Sequence, residues 1–223
     1  MSAPRRIIIA IDGPAGAGKS TVARRVADRL GFTYIDTGAM YRAVALWALR
    51  ERIDVADAHR MEALAQAASI DLKRGEVRLN GVDVSADIRS PEVSAASSAA
   101  ATHPGVRRAM VEKQREMARS TSIVMEGRDI GSVVFPEAQV KIFLDGAADE
   151  RLRRRMTETG GEAGEVARHL KERDERDRTR AEAPLVQAED AVYLDSTPLS
   201  IEEVEETILA IVRKRLTNGG MFA

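Results

Sequence analysis

Residues 7–31 read "IIIAIDGPAGAGKSTVARRVADRLG" and decide the fold prediction. The run at 7–11 is short and mostly β-branched, which is typical of a strand buried on both faces of a parallel sheet. After the glycines, Val22, Val26 and Leu30 recur at the spacing of one helix face. The stretch therefore predicts a strand, a glycine-rich loop and a helix, in that order.

The loop at residues 13–20 fits the phosphate-binding pattern G-x-x-x-x-G-K-[ST] in full. Its glycines let backbone N–H groups converge on phosphate oxygens, and the helix amino terminus adds its positive end. We expect Lys19 to reach the β- and γ-phosphates of a nucleoside triphosphate and the Ser20 hydroxyl to ligate Mg²⁺. The alternative is a glycine-rich turn that happens to precede a helix, and the flanking strand and helix argue against it.

The composition limits the class of protein. The chain has 223 residues, 44% of them hydrophobic, and a net charge of −1, which favours one domain with an elaboration and gives no sign of nucleic-acid binding. It has no cysteine, and its three histidines are scattered, so a thiolate or histidine metal site is not expected. No apolar run reaches the roughly 20 residues of a membrane span, and none resembles a signal peptide. We expect a cytoplasmic monomer with neither nucleic acid nor a membrane as partner.

Strand-like and helix-like segments alternate through most of the chain. This rhythm predicts an α/β fold with a doubly wound, five-stranded parallel sheet. The predicted strands are residues 7–11, 32–36, 122–126, 140–145 and 191–195.

One segment breaks this rhythm. Residues 69–84 contain short alternating pieces separated by "KRGE" and "NG", both of which are turn signals. They predict a small antiparallel sheet inserted into the α/β fold, with helices leaving it.

The segment from Arg151 to Arg180 is rich in arginine, with nine Arg and one Lys against seven acidic residues. Arg173, Asp177 and Arg180 are spaced i, i+4, i+7, which predicts one helical face. Arginine presents a fork of donors suited to phosphate, whereas a merely solvated face could equally be lysine. A solvated face with internal ion pairs is the alternative. The glycines between the two arginine-rich helices, at 160, 161 and 164, would allow a lid to move.

Two further segments lie at the predicted carboxyl edge of the sheet, where open α/β sheets bind ligands. "MEGRDIG" brings Arg128 and Asp129 there, and an internal Arg–Asp pair is the alternative to a binding role. "DTGAMYR" brings Thr37, Tyr41 and Arg42 there, and Tyr41 could instead pack inward.

The ordered set of motifs resembles the bacterial cytidylate kinase (CMP kinase) family over about residues 7–216. The segments that carry the resemblance are "IDGPAGAGKST", "YIDTGAMYRA", "MEGRDIGSVVFP", "KIFLD", "KERDERDRTRAEAPL" and "LDSTPLSIEEV". It implies a P-loop NTPase fold and transfer of a phosphoryl group from ATP to CMP or dCMP, giving ADP and CDP or dCDP, with Mg²⁺. It also implies a single kinase domain with a core of residues 1–61, 122–150 and 181–223, an NMP-binding insert of about 62–121 and a lid of about 151–180.

The resemblance also implies roles for particular residues. ATP would be bound by Gly13, Pro14, Ala15, Gly16, Ala17, Gly18, Lys19, Ser20 and Thr21, with Ser20 holding Mg²⁺ partly through water. CMP would be bound by Thr37, Tyr41, Arg42, Ser98, Arg107, Arg128, Asp129, Arg173, Asp177 and Arg180. Within this set, Ser98, Arg107 and Asp129 would read cytosine, Arg128 and Arg180 would reach the acceptor phosphate, and Arg173 and Asp177 would hold the pentose hydroxyls. The residues expected to act in catalysis are Lys19, Arg128, Arg154 and Arg180, with Arg154 preferred to Arg151, Arg153 and Arg155 as the lid arginine.

The chemistry of this reaction agrees with the residue types. An acceptor phosphate is already ionised near pH 7 and needs no general base, so the requirement is for cations that offset repulsion between two anionic substrates. Rival interpretations are an adenylate or shikimate kinase, a GTP switch and a nucleic-acid translocase. The insert and the "EGRD" loop argue against the first, the lack of an N-K-x-D stretch against the second, and the near-zero net charge against the third.

Overall fold

The computed structural model describes residues 6–73, 75–160 and 162–218. Within these ranges the strands are β1 (Ile8–Asp12), β2 (Thr33–Asp36), β3 (Ile70–Lys73), β4 (Glu76–Leu79), β5 (Val82–Asp83), β6 (Ile123–Gly127), β7 (Val140–Asp145) and β8 (Val192–Asp195). The α-helices are α1 (Lys19–Leu30), α2 (Thr37–Arg50), α3 (Ala58–Ala67), α4 (Pro91–Ala100), α5 (Pro104–Met117), α6 (Ala148–Thr159), α7 (Ala163–Thr179) and α8 (Ile201–Asn218). A 3₁₀ turn spans Asp87–Arg89 and a π-helical turn spans Ile130–Val134.

The main sheet is parallel, with five strands in the order β2-β6-β1-β7-β8. Every residue of β6 is buried, as are all residues of β1 after Ile8, so both faces of the sheet centre are covered. The predicted α/β fold with a doubly wound, five-stranded parallel sheet is confirmed.

Two helices bury their apolar stripes against the central strands. Val22 and Val26 of α1 and Ile208 and Val212 of α8 belong to the same core cluster as Ile9 of β1. The two residues of each pair are four positions apart and lie on one helical face, which explains why these segments pack as helices against this sheet. The amino terminus of α8 carries a capping box, in which Ser200 N–H donates to Glu203 Oε2 (2.8 Å) and Glu203 N–H donates to Ser200 Oγ (3.2 Å).

The predicted insert is a separate antiparallel sheet in the order β3-β4-β5. Ile70 pairs with Leu79, and Arg78 pairs with Asp83. Asn80 and Gly81 both have positive φ (50° and 84°), as a two-residue hairpin turn requires. The "NG" signal therefore located this turn correctly, whereas "KRGE" includes residue 74, which lies outside the described residues.

The chain forms two compact units. The first consists of the described residues within Met1–Ile35, Met117–Thr179 and Ala183–Ala223, and the second of those within Asp36–Glu116 and Arg180–Glu182. The division into core, insert and lid that the sequence suggested follows other boundaries and stays a prediction.

Local contacts set the ends of the helices. The helix α3 begins at Ala58, because Asp57 caps it by accepting from the Arg60 N–H (3.0 Å). The break between α6 and α7 is only residues 160–162, so Gly164, which was expected between the two helices, lies within α7. Residue 161 lies outside the described residues.

No helix within the described ranges is both long enough and apolar enough to cross a membrane.

Candidate functional site

The phosphate loop joins the carboxyl end of β1 to the amino end of α1, as predicted. Gly13 has φ 153°, and a Cβ at this position would lie 1.9 Å from the Leu144 carbonyl oxygen. Any larger residue would displace the loop from β7, so the first glycine of the motif is required by packing as well as by conformation. The loop thus holds the α1 amino terminus, with its N–H groups, at the carboxyl edge of the sheet.

Lys19 is the buried cation of this loop. It is 5% exposed, and its Nζ donates to the Pro14 carbonyl oxygen at 2.7 Å. Burial, together with the positive charge of Arg128, lowers the pKa of the Lys19 ammonium to about 7. A phosphate group brought to this loop would supply the negative charge that favours the protonated form.

Two helices of the first unit form hydrogen bonds to the phosphate loop at Ala15. Arg151 of α6 donates from Nη1 to the Ala15 carbonyl oxygen at 3.0 Å, and the Ala15 N–H donates to Asp174 Oδ1 of α7 at 3.3 Å. Arg151 and Asp174 also pair with each other at 2.5 Å, and both are buried. Because they bond both backbone polar groups of Ala15, they fix the middle of the loop. No sequence pattern distinguishes Asp174 from the other acidic residues of α7.

The structure separates the four arginines of α6 by position. Arg154 donates to the Ala17 carbonyl oxygen (3.2 Å), to Ser196 Oγ (2.8 Å) and to the Ser196 carbonyl oxygen (2.9 Å). Arg151 and Arg154 thus contact the phosphate loop directly. Arg153 pairs with Glu150, and Arg155 pairs with Glu158.

A cavity of about 340 Å³ opens beside the phosphate loop. Its lining includes Gly18, Thr21, Arg154, Thr157, Leu199 and Ile201. The cavity therefore combines residues of the loop motif with apolar side chains at the start of α8, and a size of this order suits part of a small ligand.

A second loop of the first unit begins where β6 ends. Arg128 Nε donates to Asp177 Oδ2 of α7 at 2.7 Å, in a largely buried pair. Asp129, also buried, stands directly before the π-helical turn. Glu126 accepts a hydrogen bond from the Tyr34 hydroxyl (2.9 Å). Arg128 thus pairs with a helix almost fifty residues further along the chain.

The second unit contains the other predicted nucleotide-binding residues. Thr37 is buried at the first position of α2, and Arg42 pairs with Asp36 at 3.0 Å. The Arg107 guanidinium of α5 lies 5.9 Å from the centre of the Tyr41 ring. Ser98 is buried on α4. The structure thus brings Tyr41 and Arg107 together from segments more than sixty residues apart.

The prediction that Arg173, Asp177 and Arg180 share one helical face is wrong for Arg180. The helix α7 ends at Thr179, so Arg180 lies beyond it, and Arg180 belongs to the second unit. Helical spacing cannot identify where the helix stops, and this helix has no capping glycine or proline to mark that end.

The donor groups fit a magnesium ion that arrives with a nucleotide. Ser20, in the first turn of α1, offers an exposed hydroxyl oxygen, and Mg²⁺ prefers oxygen ligands and keeps several waters. Among residues 6–73, 75–160 and 162–218, no group of three acidic, histidine or cysteine side chains could hold a metal ion by itself. A magnesium ion could therefore take one ligand from the Ser20 hydroxyl and its other ligands from nucleotide phosphates and water.

A parallel α/β sheet with a phosphate loop after its first strand defines the P-loop NTPase fold, and the comparisons with known proteins agree. An uncharacterised protein from Eubacterium ventriosum matches 93% of this chain and 99% of its own at a TM-score of 0.56 and 13% identity. A gluconokinase from Sinorhizobium meliloti matches 98% of this chain and 100% of its own at a TM-score of 0.50 and 16% identity. At such identities, these likenesses establish the fold alone.

Sequence comparison identifies the family. The sequence model of the family described as cytidylate kinase matches residues 9–214. The cytidylate kinase of Solibacter usitatus is 63% identical over 98% of this chain and 97% of its own, and that of Desulforamulus reducens is 50% identical over 92% and 96%. The chain belongs to the cytidylate kinase family and is therefore a nucleotide kinase.

Nucleotide binding should be coupled to proton uptake. At pH 8 the free Lys19 side chain is mostly neutral because its pKa is about 7, and a neighbouring triphosphate raises that pKa. Binding of ATP should take up about one proton at pH 8 and much less at pH 6, where Lys19 is already charged. Titration calorimetry in buffers of different ionisation enthalpy measures this uptake. Equal uptake by the wild type and by Lys19→Met at pH 8 would contradict the assignment.

Proposed function

We propose that the protein transfers the γ-phosphoryl group of ATP to the phosphate of CMP or dCMP, giving ADP and CDP or dCDP. The observation that carries this proposal is a complete phosphate loop with a buried lysine in a chain of the cytidylate kinase family. The cationic side chains beside that loop match the reaction, because two anionic substrates must approach each other in it.

ATP would be held by the phosphate loop and the cavity beside it. Gly13 to Thr21 would bind its phosphates, and the adenosine part would enter the cavity, where Leu199 and Ile201 offer apolar contact to a base. Mg²⁺ would be held by Ser20, partly through water, and would neutralise charge on the phosphates. Arg154 already donates to the loop at Ala17, which supports its assignment as the lid arginine near the transferred group.

CMP would be held by polar and aromatic side chains. We assign its contacts to Thr37, Tyr41, Arg42, Ser98, Arg107, Arg128, Asp129, Arg173, Asp177 and Arg180. Arg128 and Arg180 would bind the acceptor phosphate, and Arg173 and Asp177 the pentose hydroxyls. The pairing of Arg128 with Asp177 supports this grouping within the first unit, because it sets the guanidinium in a defined orientation.

Cytosine would be selected by complementary hydrogen bonds. The Asp129 carboxylate would accept from the exocyclic amine, and Arg107 would donate to O2 or N3, with Ser98 adding a hydroxyl. Uracil would turn an oxygen toward the carboxylate, so that two acceptors would face each other. Both Asp129 and Arg107 are buried, which makes such a mismatch costly.

The reaction itself needs no general base. The acceptor oxygen belongs to a phosphate that is ionised near neutral pH, so the enzyme must align the substrates, balance their charge and exclude water. Residues 151–180 would act as a lid and 62–121 as the NMP-binding insert around the remaining core. We further propose that the enzyme acts as a monomer on free nucleotides in the cytoplasm, and light scattering would test the oligomeric state.

A panel of nucleoside monophosphates with ATP and Mg²⁺ tests the acceptor. CMP and dCMP should be phosphorylated, and kcat/KM for UMP should be lower by about 5- to 150-fold, since one buried mismatched group costs about 1–3 kcal/mol. A coupled assay of ADP release makes the measurement. Turnover of UMP as fast as CMP would remove the assignment of Asp129 and Arg107.

Substitution of the arginines tests the acceptor-side residues. Arg173→Met and Arg180→Met should each raise KM for CMP or lower kcat by at least about tenfold, because each removes a charge-assisted contact to the acceptor nucleotide. Arg176→Met, on the same helix as Arg173 and partnered by Glu172, is the control and should stay near wild type. If all three variants behave alike, Arg173 and Arg180 serve the folded structure rather than the substrate.

A further inference from the structure

Asp12 is a buried carboxylate that the proposed chemistry does not use. It is the last residue of β1, directly before the phosphate loop, and is 5% exposed. Its Oδ1 accepts the N–H of Ile130 at 2.8 Å, and its Oδ2 accepts the N–H of Gly131 at 2.7 Å. Both carboxylate oxygens are therefore engaged with the backbone of a segment more than a hundred residues further along the chain.

Keeping this carboxylate in the sheet centre is unfavourable by itself. Burial raises its pKa to about 6, even though the two N–H donors act in the opposite direction. A buried charge is tolerated when its hydrogen bonds are made, and an apolar residue at the end of β1 would avoid the penalty altogether. The structural contribution of the Asp12 side chain is therefore its two hydrogen bonds to the backbone of Ile130 and Gly131.

Those bonds fix the loop that carries Arg128 and Asp129. Ile130 and Gly131 open the π-helical turn that follows Asp129, and the strand register sets Asp12 directly beside Gly127. Asp12 therefore lies beside the residue that precedes Arg128 and bonds the two residues that follow Asp129, directly before the phosphate loop begins.

The far end of the same loop is also anchored. Lys141 of β7 donates from Nζ to the Pro136 carbonyl oxygen (2.5 Å) and to Asp190 Oδ1 (2.8 Å). Lys141 thus holds the end of the loop near Pro136. The start of the loop, where Asp12 bonds Ile130 and Gly131, therefore sets the position of Arg128 and Asp129 relative to Gly13.

We propose that Asp12 is a positioning residue for phosphoryl transfer. Asp12 holds Arg128 and Asp129 at a fixed distance from the phosphate loop without touching either substrate, a role that rests on the proposed function. Small displacements of reacting groups lower rates steeply, so this tie affects turnover more than it affects binding of the donor.

Asp12→Asn is the direct test. It keeps the size of the side chain, but its amide group meets one of the two N–H donors with another donor. We expect kcat to fall by about 10- to 100-fold and KM for CMP to rise. The Kd of ATP, measured without CMP, should rise far less than kcat/KM falls, because the loop backbone is unchanged and only the attraction between the Asp12 carboxylate and Lys19 is lost.

Glu205→Gln is the matched control. Glu205 is also a buried carboxylate, and it pairs with Arg25 and Arg29 between α8 and α1, away from both loops. Its substitution should leave kcat and KM near wild type even if Tm falls. All variants are assayed well below their Tm, so that a loss shared with Glu205→Gln measures stability alone.

Three results would overturn the inference. They are unchanged kinetics of Asp12→Asn, a loss equal to that of Glu205→Gln, and a rise in the Kd of ATP that matches the loss in kcat/KM. If Asp12→Asn does not fold, Asp12→Ser, which removes the buried charge and keeps one acceptor, is judged by the same criteria. A wild type that fails to phosphorylate CMP overturns the proposed function and this inference with it, whereas an active wild type isolates the inference.

Discussion

The first unit depends on how positive charge is held around the phosphate loop. Nucleotide phosphates require cations, but cations packed together repel each other and are costly to bury. The structure meets this constraint by giving two arginines buried carboxylate partners, Arg128 with Asp177 at 2.7 Å and Arg151 with Asp174 at 2.5 Å. Lys19 instead donates to a backbone carbonyl oxygen, and burial together with the charge of Arg128 lowers its pKa. Asp174 and Asp177 of α7 thus keep these two guanidinium groups oriented.

Parallel topology explains why distant segments supply this apparatus. The carboxyl ends of adjacent parallel strands meet at one edge, so the loops after β1 and β6 emerge side by side. The two helices α6 and α7 then reach the first of these loops at Ala15, through Arg151 and Asp174. Arg151 is suited to this position because its planar guanidinium is held at two nitrogens: Nη1 donates to the Ala15 carbonyl oxygen and to Asp174, and Nε donates to the Gly146 carbonyl oxygen (3.0 Å).

Local sequence patterns predicted the main strands and helices, but they did not predict contacts between residues that are far apart in the sequence. The phosphate loop and the Asn80-Gly81 turn depend on neighbours in sequence, and both were predicted from residue type and spacing. The pairing of Arg128 with Asp177 joins residues 49 apart, and the bonds of Asp12 join residues about 118 apart. No periodicity encodes such partners. No sequence pattern singled out Asp12, although a charged residue at the end of a buried strand is itself a signal.

The most direct measurement is ³¹P NMR of a mixture of ATP, CMP and Mg²⁺ with the enzyme. The account predicts that the γ-phosphate signal of ATP declines while the α- and β-phosphate signals of CDP grow in equal amount, together with those of ADP. Release of inorganic phosphate without formation of CDP would contradict it, because the charge arrangement around the phosphate loop would then be serving hydrolysis and not transfer to a second nucleotide.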